Sequence, residues 1–173
     1  MTDLVLPEAL RDVEPVKKLE IPARLDYQFT AGAATSRFLT GIARKKILGE
    51  RCSKCGKVYV PPRGSCPTDG IPTSEQVELA HTGTVTTFCV VNVQFYGQAM
   101  ELPYVCATVL LDGADLGLFG LIQDVPADQV RMGMRVEAVW VEDDKLAPTL
   151  TSIEFWRPTG EPDAPYESFR EHV

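Results

Sequence analysis

The pattern of hydrophobic and polar positions in this chain changes period near residue 79. From there, five segments either alternate apolar with polar residues or form short apolar runs, as β-strands do. They read HTGTVTTFCVVNVQ, PYVCATVLLD, LGLFGLI, MRVEAVWVED and PTLTSIEFW. Between the third and the fourth, Pro126 can open a single helical turn. Five strands with a short helix at that place are the element order of an OB-fold barrel.

Glycines within these segments agree with a closed barrel. Gly83 lies in the first segment, and Gly117 and Gly120 lie in the third. Glycine inside a strand commonly marks a bend or a close approach of two backbones, which a small barrel requires. We therefore predict a mainly β protein.

Before residue 47 the apolar period is that of a helix. One apolar stripe recurs at helical spacing over TAGAATSRFLTGIARKKI: Ala31, Ala34, Phe38, Leu39 and Ile42. Thr30 is a candidate N-cap, and three basic residues would fall in the last turn, where cations favour the helix dipole: Arg44, Lys45 and Lys46. Either the stripe packs on its own domain, or Phe29, Phe38 and Leu39 face a second protein.

Four potential metal ligands lie in the twenty residues RCSKCGKVYVPPRGSCPTDG. Cys52 and Cys55 form a CxxC pair, and Cys66 and Asp69 repeat the spacing with a carboxylate in the last place. A CxxC turn directs two thiolates at one point, and a second such turn closes a tetrahedron around zinc. A glycine follows each pair, and KVYVPPRG between them has the composition of a short hairpin. The spacing therefore predicts a zinc ribbon with structural zinc.

The carboxylate of Asp69 leaves two other interpretations open. Carboxylates ligate zinc less often than thiolates do in closed structural sites, so Asp69 could simply begin an Asp-Gly turn in a ribbon that has lost its metal. A disulfide between Cys52 and Cys55 is the third interpretation. Five cysteines, three of them at ligand spacing, favour metal binding in a reducing compartment over a disulfide framework.

Length and composition are those of an ordinary globular protein. The chain has 173 residues, 45% of them hydrophobic and 24% charged. It contains no run of 18 apolar residues, and its N-terminus has no basic stretch followed by an apolar core, so we expect a cytoplasmic protein that does not span a membrane. We divide the chain into an N-terminal arm and amphipathic helix (1–48), a zinc ribbon (49–78), a barrel (79–156) and a Pro-rich tail (157–173). The polar segment IPTSEQVEL is expected to connect ribbon and barrel.

Charge is distributed unevenly along the chain. Between Arg37 and Pro67 there are eight basic residues and one acid, whereas between Leu79 and Phe155 there are ten acids and three basic residues. An OB-fold that binds nucleic acid needs a cationic groove with stacking aromatics. Because this barrel is acidic, it would repel phosphate, and we do not expect a nucleic-acid partner.

The connection between the first two barrel strands, FYGQAMELP, is unusually apolar. It carries Phe95, Tyr96, Met100 and Leu102. Loops on a rigid barrel commonly carry binding function, and an exposed apolar loop is usually covered by a partner. We expect Phe95, Tyr96 and Met100 to contact another protein.

The order helix, ribbon, barrel resembles an acyl-CoA-associated family with a rubredoxin-like zinc ribbon and an OB-fold, formerly a domain of unknown function. The resemblance is carried by AGAATSRFL, ILGERCSKCGKVYVPPRGSCP, GTVTTF, PYVCATVLLD and GMRVEAVW. These motifs cover most of residues 30–156. Asp69 departs from the pattern, since the family more often has cysteine there.

The resemblance implies a non-catalytic partner of thiolase-superfamily enzymes. These include thiolases, hydroxymethylglutaryl-CoA synthase complexes and the lipid-transfer-protein-like aldolases of steroid side-chain breakdown. A dimeric thiolase-like subunit would carry the chemistry in a hetero-oligomer, for which two copies of each chain is one arrangement. This chain would stabilise that enzyme and help to enclose the acyl-CoA path. Basic residues that could meet the CoA phosphates are Arg44, Lys45, Lys46 and Arg63.

The residues alone indicate the same class by elimination. The sequence has no nucleophile elbow, phosphate loop, dinucleotide motif or HExxH, and a closed Cys-rich ribbon offers no open coordination position. Cys89 and Cys106 lie in apolar runs, where cysteine is usually a small buried hydrophobe, and neither His81 nor His172 makes a recognisable Cys-His arrangement. Two alternatives remain: a nucleic-acid-binding protein, or a small acyl-CoA hydrolase or lyase that uses Asp112, Asp115 or Tyr104.

Overall fold

The computed structural model describes residues 8–14, 21, 24–26, 28, 30–95, 97, 98 and 100–173. The chain divides into two compact units, Met1–Thr30 and Ala31–Val173. The first contains a 3-10 turn, Glu8–Leu10. The second contains one α-helix, a small sheet and a barrel. Among the helices in the described ranges, none is long and apolar enough to cross a membrane.

The helix, α1 (Ala33–Ile42), is shorter than predicted at both ends. Its N-cap is Gly32 at φ 61°, not Thr30. At the other end Lys45 adopts φ 56°, and the Lys46 N–H donates to the carbonyl of Gly41 at 2.9 Å. This left-handed cap ends the helix. The three basic residues therefore lie beyond α1, in the turn that follows it, rather than in its last turn.

The apolar stripe of α1 packs on its own unit. Phe38 is 1% exposed in the same core as Ile42 and Ile47, and Leu39 packs against that core while partly buried. The assignment of Phe38 to a partner surface is therefore wrong. The physical reason is a sheet beside the helix whose apolar side chains the sequence interpretation did not assign to strands. Phe29 lies outside the described residues.

The ribbon region forms a three-stranded antiparallel sheet in the order β2-β1-β3. Its strands are β1 (Ile47–Arg51), β2 (Val58–Tyr59) and β3 (Glu75–Leu79). The interpretation of EQVEL as a connector is thus wrong, because all five of its residues pair with β1. An edge strand with mostly exposed side chains reads as polar, so its sequence lacks the alternation of a half-buried strand.

The five predicted barrel strands are confirmed, and they close in the order β4-β5-β6-β8-β7. Their bounds are β4 (Thr82–Val91), β5 (Tyr104–Leu111), β6 (Gly117–Ile122), β7 (Arg135–Trp140) and β8 (Ile153–Pro158). A 3-10 turn, Ala127–Gln129, follows Pro126 as predicted. β7 pairs with β4, and β6 meets β8 in parallel at Ile122 and Trp156, which completes the OB-fold.

Gly120 shows why this barrel needs glycine. A Cβ atom at Gly120 would lie 2.5 Å from Nε1 of Trp156. Trp156 is 1% exposed and is among the largest side chains of the core. Only the missing side chain lets the indole pass beneath β6.

The C-terminal tail docks on the barrel of its own chain. Ala164 donates its N–H to the carbonyl of Gly133 at 2.8 Å, Arg131 pairs with Asp163 through two hydrogen bonds, and Phe169 is buried. The Tyr166 ring packs edge-on against Phe169 at 5.5 Å. The tail thus covers the connection between β6 and β7.

Two polar contacts join the helix, the ribbon and the barrel. Asp115, in the β5–β6 loop, accepts from the Val58 N–H at 2.8 Å and donates its own N–H to the Val58 carbonyl at 2.9 Å. The Glu50 carboxylate, 2% exposed, accepts from Arg37 of α1 at 2.6 Å and from Thr73 at 2.9 Å. A buried carboxylate of this kind is tolerated because both oxygens are bonded.

Candidate metal centre

The four predicted ligands converge on one point. One ligand atom from each of Cys52, Cys55, Cys66 and Asp69 lies within 4.8 Å of all the others. The Cys55 and Cys66 sulfurs are 3.7 Å apart, and Asp69 Oδ2 is 3.5 Å from the sulfurs of both Cys52 and Cys66. Tetrahedral zinc with Zn–S near 2.3 Å and Zn–O near 2.0 Å places its ligands about 3.8 Å (S to S) and about 3.5 Å (S to O) apart. The donor set and its spacing therefore fit zinc.

The two knuckles have the same backbone hydrogen bonds. In the first, the Cys52 N–H donates to the Lys57 carbonyl at 2.9 Å and the Gly56 N–H donates to the Cys52 carbonyl at 3.0 Å. In the second, Cys66 pairs with Ile71 at 2.8 Å and Gly70 pairs with Cys66 at 2.9 Å in the same pattern. Gly56 and Gly70 both have positive φ, which glycine adopts without steric cost. Asp69 thus occupies the position that Cys55 occupies in the first knuckle.

Cys66 is held in a setting that favours its thiolate. Burial raises its pKa, but hydrogen bonds from the Tyr59 hydroxyl, at 3.3 Å, and from backbone N–H groups outweigh burial and lower the pKa to about 7. The same hydrogen bond to Cys66 raises the pKa of Tyr59 to about 12, so Tyr59 remains a donor. A thiolate is the form of cysteine that binds metal.

Asp69 is oriented by a lysine from the opposite knuckle. Lys54 Nζ lies 3.0 Å from Asp69 Oδ1, while Oδ2 points at the sulfurs. The Asp69 side chain is only 10% exposed. The hydrogen bond from Lys54, followed by those from the cysteines, lowers the pKa of Asp69 to about 2 despite burial. One oxygen is therefore free to ligate while the other is bound, an arrangement typical of metal-ligating carboxylates.

Sequence reasoning missed both supporting residues, Lys54 and Tyr59. Each lies within or between the knuckles, but no spacing rule indicates that Lys54 crosses to Asp69 or that Tyr59 reaches Cys66. All five cysteines are free, so the disulfide between Cys52 and Cys55 is not present. A hydrogen bond from the Lys57 N–H lowers the pKa of Cys55. Desolvation, Asp69 and the neighbouring thiols outweigh that effect and raise the pKa to about 11. A cation in the cluster would offset that crowding of acidic groups.

The four candidate CoA-phosphate residues do not line one pocket. Arg44 and Lys46 line a shallow pocket of about 330 Å³ beside α1, together with Arg37. Lys46 also pairs with Glu78, and Lys45 pairs with Asp143. Arg63 lines a different groove, on the barrel.

In the apolar loop between β4 and β5, Phe95 is 58% exposed and Met100 and Leu102 are also exposed. Tyr96 lies outside the described residues.

The carboxylates proposed for an independent enzyme have structural partners. Asp112 receives two hydrogen bonds from Arg135 and one from Thr82. Asp115 bonds the backbone of Val58. The expectation that Cys89 is buried is wrong, because Cys89 is exposed opposite Cys106 on the outer side of the barrel. A period of two assigns neighbouring residues to opposite faces, but it does not show which face is covered.

Comparison with known proteins supports both domains. A family model described as the ChsH2 rubredoxin-like zinc ribbon domain matches residues 40–73, and one described as the ChsH2 C-terminal OB-fold domain matches residues 76–141. A DUF35 domain-containing scaffold protein of Methanocaldococcus jannaschii is 38% identical over 96 residues, 54% of this chain and 67% of that protein. A probable enoyl-CoA hydratase alpha subunit of Thermomonospora curvata is 32% identical over 101 residues, which span 58% of this chain but only 31% of that relative.

Solved structures show the same architecture. A chain of the Ltp2-ChsH2(DUF35) aldolase superposes with a TM-score of 0.55 at 26% identity, covering 72% of this chain and 93% of that chain. A DUF35-family protein of unknown function from Sulfolobus solfataricus has the same TM-score at 22% identity, with 73% and 84% covered, which supports the fold alone.

Proposed function

Because this chain belongs to the DUF35 family of ChsH2-type zinc-ribbon and OB-fold proteins, we propose that it is a non-catalytic accessory subunit of a thiolase-superfamily acyl-CoA enzyme. One similar protein is named a scaffold, and one similar chain comes from an aldolase that pairs Ltp2 with ChsH2. The observation that carries the proposal is the exposed apolar loop with Phe95 and Met100. Such a loop is typical of a surface that a partner covers.

The metal cluster supports a structural role for the ribbon. Cys52, Cys55, Cys66 and Asp69 would supply four ligands, which is the full coordination of tetrahedral zinc. Zinc held in this way would cross-link the two knuckles and stabilise the ribbon. Catalytic zinc needs a coordination position that is open to water or substrate. Four protein ligands would leave no such position. We therefore assign the chemistry of the complex to the partner subunit.

A contribution to the acyl-CoA path would come from the basic pocket beside α1. Arg37, Arg44 and Lys46 line it with the polar residues Ser36, Thr40 and Gln76. Arg37 and Lys46 have acidic partners, whereas Arg44 is exposed and takes part in none of the described ion pairs, so Arg44 is the residue best placed to meet a CoA phosphate. Lipid or steroid side-chain breakdown is the context that we propose for the complex, and the family resemblance supports it.

Co-expression with a thiolase-like enzyme encoded beside this chain tests the proposal. We expect one co-eluting hetero-oligomer, and we expect the thiolase-like subunit to lose solubility or acyl-CoA turnover when it is produced alone. Arg44→Ala should raise the KM for the acyl-CoA without dissociating the complex. Arg170→Ala, in the C-terminal tail, is the control. Separate elution of two fully active proteins would contradict the accessory role.

A hydratase subunit is the second candidate partner. The observation that favours it is the similarity to part of a probable enoyl-CoA hydratase alpha subunit. In that relative, which is about three times the length of the match, similar sequence occurs in one chain with other regions. The same co-elution experiment with an enoyl-CoA hydratase subunit in place of the thiolase-like enzyme distinguishes the two.

A further inference from the structure

The barrel has one side without charge. β4, β5 and β6 contain no charged residue, whereas β7 and β8 each contain two. On the second side the charges pair across strands, as Arg157 does with Glu137 at 2.8 Å. Outward positions of a barrel strand are normally polar or charged, because water covers them. The uncharged side therefore differs from an ordinary solvated surface.

The strand register shows which side chains point outward there. Val105, Ala107, Val109 and Leu111 are buried inside the barrel, so the alternate residues of β5 face out. Cys89 pairs with Cys106, and Cys106 in turn pairs with Leu121. Thr108 pairs with Phe119, which is 69% exposed. We call this outer surface of β4, β5 and β6 the uncharged face.

The uncharged face continues into a groove at the free edge of β6. Along its whole length β6 pairs with β5, but within the described residues it meets β8 only at Ile122. A groove of about 680 Å³ lies beside β6, between Phe119 and Leu121 on one side and Leu150 and Ile153 on the other. Leu150 is also exposed.

The size of this surface is that of the centre of a protein interface. Three strands of about eight residues, at about 3.3 Å per residue and about 4.8 Å between strands, cover roughly 25 by 15 Å. A standard interface buries about 800 Å² on each partner. The exposed loop side chains at its end, among them Val93 and Phe95, extend it towards that area.

An acidic hollow borders the uncharged face. Glu101 and Asp124 line a hollow of about 410 Å³ with Met100 and Tyr104, at the end where β5 begins and β6 ends. Among the described ion pairs, none involves either carboxylate. At the β6 groove the single basic residue, Arg63, is accompanied by Glu154. The border of this surface is thus acidic overall.

The acidic border argues against a second copy of this chain as the occupant. Each copy carries a net charge of −7 and would bring the same acidic border to the interface. Like charges placed opposite each other at an interface oppose association. A surface with an uncharged centre and basic residues at its edge would be complementary.

We propose that the uncharged face and the acidic hollow dock a different protein, whose matching surface is an apolar patch bordered by arginine or lysine. One such basic side chain enters the hollow between Glu101 and Asp124. This inference rests on the proposed function, since the docked protein is then the thiolase-like subunit. It adds the surface by which the two chains meet and the chemistry of the partner's side.

Titration calorimetry of the full chain with the thiolase-like enzyme that co-elutes with it tests the surface. Phe119→Glu should raise the dissociation constant at least about a hundredfold, because a charge would enter the desolvated centre of the interface. Met132→Glu, at an exposed apolar residue on the β6–β7 connection, is the matched control and should leave it unchanged. Both positions are exposed, and circular dichroism with zinc content checks that each variant is folded.

The acidic hollow has its own test. Glu101→Gln combined with Asp124→Asn should weaken binding by about three- to tenfold and flatten its dependence on salt concentration. Glu142→Gln combined with Asp144→Asn removes the same charge from an exposed turn elsewhere and should change neither. An unchanged salt dependence in the Glu101 and Asp124 variant would overturn the basic chemistry assigned to the partner.

The outcomes separate this inference from the proposed function. A wild-type complex that Phe119→Glu leaves intact overturns the docking surface while the accessory role stands. A failure of the wild-type chain to bind any thiolase-like subunit overturns the proposed function and this inference with it. A wild-type dimer of this chain alone that Phe119→Glu converts to a monomer shows that a second copy occupies the surface, and overturns the proposal.

Discussion

The zinc ribbon and the barrel of this protein are stabilised in different ways. The buried cluster at the ribbon's candidate metal centre consists of Cys52, Tyr59 and Cys66, with Ile71 packed against it, and two of its three buried members are predicted ligands. The barrel strands instead contribute to one large apolar core around Trp156, which extends beneath α1 and the ribbon sheet. Small domains without a sufficient core depend on a cross-link such as a metal. We therefore expect the knuckles to depend on zinc and the barrel to fold without it.

Removal of the metal should have the largest effect, and it should affect the knuckles but not the barrel. Cys52→Ser, or a chelator at neutral pH, should abolish stoichiometric zinc binding and expose the amides of residues 52–71 to solvent, because metal binding and folding are coupled in small zinc sites. The barrel strands should stay protected. Hydrogen exchange followed by mass spectrometry, with zinc content by atomic absorption, measures both.

Cys89→Ser, outside the cluster, is the control for zinc removal and should keep its metal. Full protection of the knuckles without zinc would show that packing alone holds them.

The next largest effect is expected from a substitution at the centre of the barrel core. Trp156→Ala should lower the free energy of unfolding by about 3–5 kcal/mol, because it deletes a fully buried aromatic side chain and leaves a cavity beside Gly120. Urea denaturation followed by far-UV circular dichroism measures the loss. Trp140→Ala, at a partly buried residue, should cost less. Equal losses for the two would contradict the core position of Trp156.

A smaller effect is expected at Tyr59, whose hydroxyl contacts Cys66 in the candidate metal centre. Tyr59→Phe removes the hydroxyl that donates to Cys66 and keeps the ring, so zinc affinity should fall about tenfold, as for other groups that orient metal ligands. Competition with a zinc-binding dye measures it. Tyr104→Phe, on the barrel, should have no effect, and an unchanged affinity in Tyr59→Phe would remove the assigned role.

The smallest effect is expected on the barrel surface, at Asp112. Hydrogen bonds from Arg135 lower the pKa of Asp112, and this effect is larger than that of partial burial, which raises the pKa. A lowered folded-state pKa contributes stability above the ordinary carboxyl pKa of about 3.9, and that stability is lost as pH falls through the folded-state value.

Asp112→Asn should therefore cost at most about 1 kcal/mol at pH 7, since the pair is partly exposed. It should also flatten the loss of stability below pH 4. Thermal unfolding between pH 3 and 7 measures this. Asp144→Asn, in an exposed turn, is the control, and an acid dependence equal to that of the wild type would contradict the assignment.

Local patterns predicted the barrel strands correctly, and the four side chains predicted as metal ligands lie together in the structure. Period-two alternation or short apolar runs within single segments identified β4 to β8, and two repeats of one spacing indicated Cys52, Cys55, Cys66 and Asp69. Both signals depend on neighbours along the chain, since strand pleat and knuckle geometry are local. The confirmed order of elements then specified the OB-fold.

Contacts between distant segments could not be predicted in this way. β3 has mostly exposed side chains, so only its pairing with β1 makes it a strand. Phe38 belongs to a regular amphipathic stripe, but the sheet that buries it comes from later residues. Cys89 was expected inside because its neighbours are apolar, and the outer side of β4 proved to be apolar as well.

Turn geometry and side-chain alternation are properties of short stretches, so the sequence was enough to predict each barrel strand, the four residues of the candidate metal cluster and the kind of domain. The folded structure was needed to show that Lys54 holds Asp69, that Tyr59 donates to Cys66, and that β4, β5 and β6 share one uncharged outer face. Those relations join side chains from separate elements, and their distances depend on strand register and packing, which no single segment encodes.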